Sequence, residues 1–389
     1  MIFFRMLGPN ETALLPEGLH DRLVGDAQRE RKVVEKLLNK FFAHGYDLIL
    51  PPLIEFEESL LLGPGKAQSR NMFRLLDPLS QRMMGVRTDM TGQVARISHT
   101  RLGNVERPLR LSYAGDVLRV KGTQIRPERQ FKQAGVELIG TDTIEAYVEI
   151  ILLGYEALKD SGVNNLSIDL AMPLLVPVIL KELDLDKKIG DLVRCALDAK
   201  NIGELANIKG KIGNISRDLL KSAGPAEKSL EIIRNIELPL KAREICDELE
   251  KLVELLKKIE PELVITIDPG EYTGFEYQTG ISFSLFASGV RGELGRGGRY
   301  LVNAECGDGE PATGFSLYPG NLMRALGSSE VEKKIYIPFT TDRNQLSILQ
   351  SQGYRTLQGL ESVLDVDAEA KRMECDYIWR TGQIIKITE

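Results

Sequence analysis

Histidine and tryptophan are scarce: 389 residues hold three histidines (His20, His44, His99) and one tryptophan. Cysteine is no richer. The four thiols (Cys195, Cys246, Cys306, Cys375) lie scattered, with no CxxC spacing and no histidine close by. That pattern argues against a structural metal and against a disulfide framework, and it reads as reduced thiols in a cytoplasmic protein. Long apolar runs are missing, so no segment reads as a membrane span. The short apolar start MIFFRMLGPN runs into a charged helix and carries no convincing signal peptide. Excess positive charge is absent as well: 50 Lys+Arg against 56 Asp+Glu leaves a net charge of −6. A global footprint for nucleic acid is therefore disfavoured, although a local basic patch stays open. What remains is ordinary for a soluble globular chain, and the length allows two or three domains.

Within that chain the helical and extended periods alternate clearly. Val33, Val34, Leu37, Leu38, Phe41 and Phe42 form one apolar stripe over residues 24–44, and Gly45 ends that helix. YDLILPPLIEF follows as an extended run, and Pro51 and Pro52 confine it to an edge or interface. Residues 72–87 read as a hairpin turning at Asp77-Pro78-Leu79-Ser80. A helix then runs to about Arg101, with Thr88 or Asp89 as its cap. Residues 107–140 read as two long antiparallel strands joined by a polar loop, with Arg119, Gln133 and Glu137 along them. Gln133 and Glu137, four apart on one strand, share a face.

Residues 144–160 return to the helical period, and LSIDLA is a short strand. From 172 to 260 aromatics vanish, and Leu, Lys, Glu and Ile recur at helical spacing, as in a helical insertion with a solvated charged face. VITIDP and EYQTGISFSLFASG resume the strand pattern. GVRGELGRGGRYLV lacks GxxxxGK[ST], so its glycines suit bulges or tight strand packing better than a phosphate cradle. Residues 326–389 read as a small α/β module, with KKIYIPF, YRTLQGL, DYIWR and QIIKI as strands and RNQLSILQSQG as a helix.

Taken together these segments resemble a class II aminoacyl-tRNA synthetase core, most closely the histidyl-tRNA synthetase version. Helix, glycine, strand and proline over 24–52 resemble motif 1, residues 107–140 motif 2, and PATGFSLYPGNLMRAL motif 3. The implied fold is α+β, an antiparallel sheet flanked by helices, with residues 1–325 as the core, 172–260 inserted within it, and a C-terminal module at 326–389. The resemblance also implies a histidine pocket. Arg87-Thr88-Asp89-Met90-Thr91 matches the family's RPEGT segment, which assigns the ammonium to Asp89 and Thr91. Arg119 would pair with the carboxylate, Gln133 would bridge to the ligand backbone, and Glu137 would accept from the imidazole. Tyr277 and Tyr300 would complete the wall. Taken singly, Asp89 reads as a helix cap, Arg119 as a strand bridge and Glu137 as a solvent-facing side chain. In this order and spacing they read as a site.

Several departures point away from amino-acid activation, which depends on cations aimed at the transferring phosphate. The family's RGLDYY arginine corresponds to Thr273 and its motif 3 arginine to Asn321, with Arg324 about a turn late. Lys121 stands in place of an acidic residue, Leu301 in place of the GGRYD aspartate, and Pro127 where a loop arginine is expected, unless a one-residue slip brings in Arg126. A synthetase-like core with these losses and a short C-terminal module resembles the regulatory subunit family of ATP phosphoribosyltransferase. That resemblance implies a non-catalytic role and no cofactor. The implied partners are a short-form catalytic subunit, L-histidine as effector, and a second copy through the motif 1-like region. Two rivals are an active histidyl-tRNA synthetase or related ligase, and a tRNA-binding regulatory module.

Overall fold

A computed structural model describes residues 14–123, 126–271, 277–303, 309–327 and 333–387. The chain divides into two compact units, Met1–Gly327 and Ser328–Glu389.

The first unit is built on a nine-stranded sheet. Towards one edge lies the long hairpin, Leu109–Leu118 against Gln130–Ile139, paired without a break from Leu109↔Ile139 to Leu118↔Gln130. Glu310–Leu317, Gly295–Val302, Gln278–Ala287 and Leu166–Ala171 follow in spatial order, each antiparallel to the last. These six are the antiparallel sheet that the sequence predicts. The flanks differ from it, because Val264–Asp268 runs parallel to Leu166–Ala171 and Asp47–Leu48 runs parallel to Leu109–Leu118. Gly224–Pro225 closes the far edge.

Helix Asp26–Ala43 packs on this sheet and buries Glu30, Val33, Leu37 and Phe41. The apolar stripe is narrower than its sequence pattern: Phe42 points outward and is 73% exposed. The run YDLILPPLIEF also divides. Asp47–Leu48 joins the large sheet, whereas Ile54–Phe56 pairs with Met83–Val86 in a separate three-stranded sheet completed by Arg74–Leu76. Two adjacent prolines break the ladder between these strands. In the 72–87 hairpin the Asp77 carboxylate accepts from the backbone N–H groups of Leu79 and Ser80. Helix Ile144–Asp160 buries Tyr147, Ile150, Ile151 and Leu158 within one continuous core. Six helices lie between Leu175 and Ile259, and their apolar faces belong to that same core.

The second unit has a four-stranded sheet ordered Arg355–Gln358, Lys334–Ile337, Tyr377–Arg380, Gln383–Lys386. The predicted helix is Arg343–Ser351. A second helix, Val366–Arg372, does not stand out in the sequence because only Ala370 is buried. Its start is marked by Asp365, whose side chain accepts from the Ala368 N–H.

Candidate functional site

Along strand Gln130–Ile139, period-two geometry puts Gln133, Gly135 and Glu137 on one face. Gly135 lies opposite Tyr113. A Cβ at Gly135 would stand 2.5 Å from the Tyr113 hydroxyl, so the missing side chain is what lets that ring lie across the strand. Gly314, opposite Glu137 on the next strand, does the same for the carboxyl: a Cβ there would meet Glu137 Oε2 at 1.9 Å. The glycines of this region thus make room for buried polar side chains laid flat on the sheet.

Asp89 reaches this face from the segment leading into helix Thr91–Thr100. Its Oδ1 accepts the Thr91 N–H at 2.8 Å, and its Oδ2 accepts from Gln133 Nε2 at 2.7 Å. Gln133 Oε1 in turn accepts the Met90 N–H at 3.1 Å. Thr88 makes no cap. The N-cap position is Met90, which makes no side-chain cap bond, and the Asp89 carboxylate receives the first helical N–H instead. Arg87 holds the segment from behind, donating to the carbonyls of Asp116 at 2.7 Å and Pro51 at 2.9 Å.

Glu137 accepts the hydroxyls of Tyr113 at 3.1 Å and Tyr300 at 3.0 Å. Burial pushes its carboxyl up to about 8. Hydrogen bonds from Tyr300, Thr91 and Tyr113 act in the opposite sense, and the Asp89 charge adds to the rise. Burial, and then the Glu137 charge, hold the Tyr113 and Tyr300 hydroxyls well above the usual phenol range. Tyr113 also meets Ser316 Oγ at 2.8 Å, and Tyr277 packs edge-on to Tyr300 with centroids 6.2 Å apart.

These groups gather around one recess that is partly open to solvent. Of the seven residues expected from the sequence, Asp89, Thr91, Glu137, Tyr277 and Tyr300 line it. Gln133 is buried behind Asp89 and positions it. Arg119 is not among the lining residues. Its Nε lies 3.4 Å from the Thr88 carbonyl and its guanidinium 5.0 Å from the Phe131 ring. Sequence reasoning missed Tyr113, Arg296, Ser316 and Tyr318. The usable signal for Tyr113 was Gly135, a glycine between two polar residues on one strand face.

At one end of the recess Arg296 pairs with Glu293 at 2.6 Å. Burial works against the Arg296 charge, but Glu293 outweighs it and raises the pKa. The Arg126 guanidinium lies 3.7 Å above the Tyr318 ring and 3.8 Å from Glu293. Asn321 is buried and donates to the Glu293 carbonyl at 2.6 Å, while Arg324 donates to its side-chain oxygen. Thr273 lies outside the described residues.

A mainly antiparallel sheet with an acid, an amide and several hydroxyls converging over its glycine-bearing strands defines a class II synthetase-like protein. The histidyl-tRNA synthetase family model matches residues 18–322. A solved structure titled ATP phosphoribosyltransferase regulatory subunit/histidyl-tRNA synthetase, from Bacillus halodurans, is 26% identical with a TM-score of 0.79, covering 92% of this chain and 96% of that one. The sequence is 48% identical to the ATP phosphoribosyltransferase regulatory subunit of Rhodospirillum centenum, over 97% of both chains. It is 48% identical to that of Paramagnetospirillum magneticum, over 96% of this chain and 98% of the other. The chain belongs to the ATP phosphoribosyltransferase regulatory subunit family.

Proposed function

We propose that this chain is the non-catalytic subunit of a hetero-oligomeric ATP phosphoribosyltransferase. It activates a short-form catalytic subunit and makes it sensitive to L-histidine in the first step of histidine biosynthesis, in the cytoplasm. The recess carries this reading. A carboxylate–amide pair, the half-buried Asp89 with the buried Gln133, suits an ammonium, and Glu137 with its tyrosines suits a polar ring. Arg119 serves the ligand carboxylate from just outside the present lining. Regulation then follows from linkage: if histidine binds one conformation of the complex more tightly, it shifts the population toward that form, and the coupling is reciprocal.

The chain does not form an aminoacyl adenylate. The family membership supports a regulatory role, and the cations near the recess are engaged with protein groups: Arg296 with Glu293, and Arg324 with Asn321 and Glu128. Asn321 offers a neutral amide where synthetases place an arginine. Arg126, stacked on Tyr318, is the nearest counterpart of the missing loop cation.

The test is reconstitution with a short-form ATP phosphoribosyltransferase, followed by activity assays with and without histidine. We expect the pair to co-purify, turnover to rise on addition of this chain, and millimolar histidine to suppress it. Histidine-dependent ATP–pyrophosphate exchange by the chain alone would overturn the non-catalytic reading.

A further inference from the structure

The corner of the recess that carries Asp89 and Thr91 is held between two sheets. From the large sheet, Gln133 grips the Asp89 carboxylate and the Met90 N–H. From the separate three-stranded sheet, Glu55 on strand Ile54–Phe56 reaches the helix that begins at that corner. The Glu55 side chain is 9% exposed. Its Oε1 accepts from Arg96 Nη2 at 2.6 Å and from Gln93 Nε2 at 2.7 Å, and its Oε2 accepts from Arg96 Nε at 2.9 Å. Gln93 and Arg96 are the third and sixth residues of helix Thr91–Thr100, three apart and so on one face. Glu55, Gln93 and Arg96 all stand outside the recess lining.

These contacts close on themselves. Gln93 is buried, its Nε2 also donates to the Pro52 carbonyl at 2.7 Å, and its Oε1 lies 3.4 Å from Arg87 Nη1. Arg87 binds the neighbouring Pro51 carbonyl at 2.9 Å and stands two residues before Asp89. An arginine–carboxylate fork with two N–H bonds fixes orientation as well as distance. Here it fixes a helix whose first residue, Thr91, lines the recess. An anchor on Gln133 alone leaves that helix free to pivot, and a second anchor on Glu55 removes the pivot.

We propose that Glu55 is a positioning residue of the recess: through the Arg96 fork and Gln93 it sets where Asp89 and Thr91 stand for the ligand ammonium. The inference rests on the histidine reading above and deepens it, because it assigns part of the affinity to a carboxylate outside the recess. Two roles of that carboxylate have to be told apart. Neutralising its nearly buried charge needs only a cation nearby. Orienting the helix needs the planar fork, which a lysine ammonium does not supply.

Arg96→Lys and Arg96→Met separate the two roles, each compared with the wild type for its urea midpoint and for histidine affinity by calorimetry on the full-length chain. Arg96→Lys keeps the charge pair and should retain most of the stability that Arg96→Met loses. Both should nevertheless bind histidine roughly tenfold more weakly than the wild type, about the worth of one hydrogen bond displaced from its proper geometry. Glu55→Gln leaves a single acceptor oxygen for the fork and should show a similar deficit. Affinity that follows stability across the series, with Arg96→Lys near the wild type, or undiminished binding by Glu55→Gln, overturns the proposal and leaves the histidine reading standing. If Arg96→Met or Glu55→Gln fails to fold, Arg96→Lys against the wild type decides alone. No heat with histidine from the wild-type chain, alone or with its catalytic partner, overturns both.

Discussion

A carboxyl withdrawn from solvent ionises readily only where a positive charge answers it, and at Glu137 the answer is two tyrosine hydroxyls. The consequence for stability can be signed. The folded pKa of about 8 stands above the ordinary 4.5. Between those values the unfolded chain is ionised while the folded chain keeps its proton, so stability falls as pH rises through that window. The contribution is complete below about 4.5 and gone above about 8. Glu137→Gln should flatten this dependence, and urea midpoints at pH 5 and pH 8 should lie closer together in the variant than in the wild type. Part of the slope should survive through Glu271, which burial, then Asp169 and Asp268, push up to about 7. An unchanged slope would mean that Glu137 titrates normally. Gly314→Ala tests the same spot by volume. Its Cβ would sit 1.9 Å from Glu137 Oε2, which can move, and 2.4 Å from the Val136 carbonyl, which cannot. We expect a loss of ~1–3 kcal/mol in urea denaturation together with weakened histidine binding, because relief of the clash displaces the acid. A stability change below the error of the measurement would show that the strands part freely here.

At the level of elements, what could be read in advance followed from period and register. The 107–140 hairpin, the shared face of Gln133 and Glu137, and the approach of Asp89 from a helix start all follow from local spacing. The failures have physical causes. Phe42 belongs to the helical stripe by composition, but burial at 33, 37 and 41 uses one residue per turn and leaves its neighbour outside. Arg296 and Ser316 owe their places to pairing between strands distant from the recess's other segments in sequence, which no local period encodes. Arg299 is a third case of this kind. It lies on strand Gly295–Val302, donates to the Thr143 carbonyl at 2.6 Å, pairs with Glu248 at 3.4 Å and lies 3.9 Å over the Tyr147 ring. One guanidinium therefore joins the sheet to helices Ile144–Asp160 and Leu240–Ile259. Arg299→Met keeps much of the stem and removes the charge. Glu248 is partly exposed and can rehydrate, so the cost should fall short of that of a fully buried pair, near ~2 kcal/mol. Thermal unfolding should show a midpoint several degrees lower, and an unshifted midpoint would remove Arg299 as a tie between these elements.

For the whole molecule, the edge of the large sheet and the apolar residues around it bear on assembly. Asp47–Leu48 is the terminal strand of this sheet, with no further strand beyond it among the described residues. Leu48, Leu50, Leu53 and Ile54 are exposed beside it, and Phe42 is exposed at the end of the preceding helix. A sheet edge bordered by large apolar side chains invites pairing, and a two-fold axis lets one surface serve both partners. The segment also connects to the recess, since Arg87 binds the Pro51 carbonyl through its side chain and the Leu53 carbonyl through its N–H, two residues before Asp89. A dimer contact at Leu50 and Leu53 would therefore steady the wall that holds the ligand. Light scattering on the purified chain should give twice 43.4 kDa at micromolar concentration. The double substitution Leu50→Asp with Leu53→Asp places like charges opposite each other across the axis, and should yield a folded monomer with weakened histidine binding. A wild-type chain that is already monomeric would leave the exposed edge without this partner, whereas a charged variant that remains dimeric would place the contact on another face.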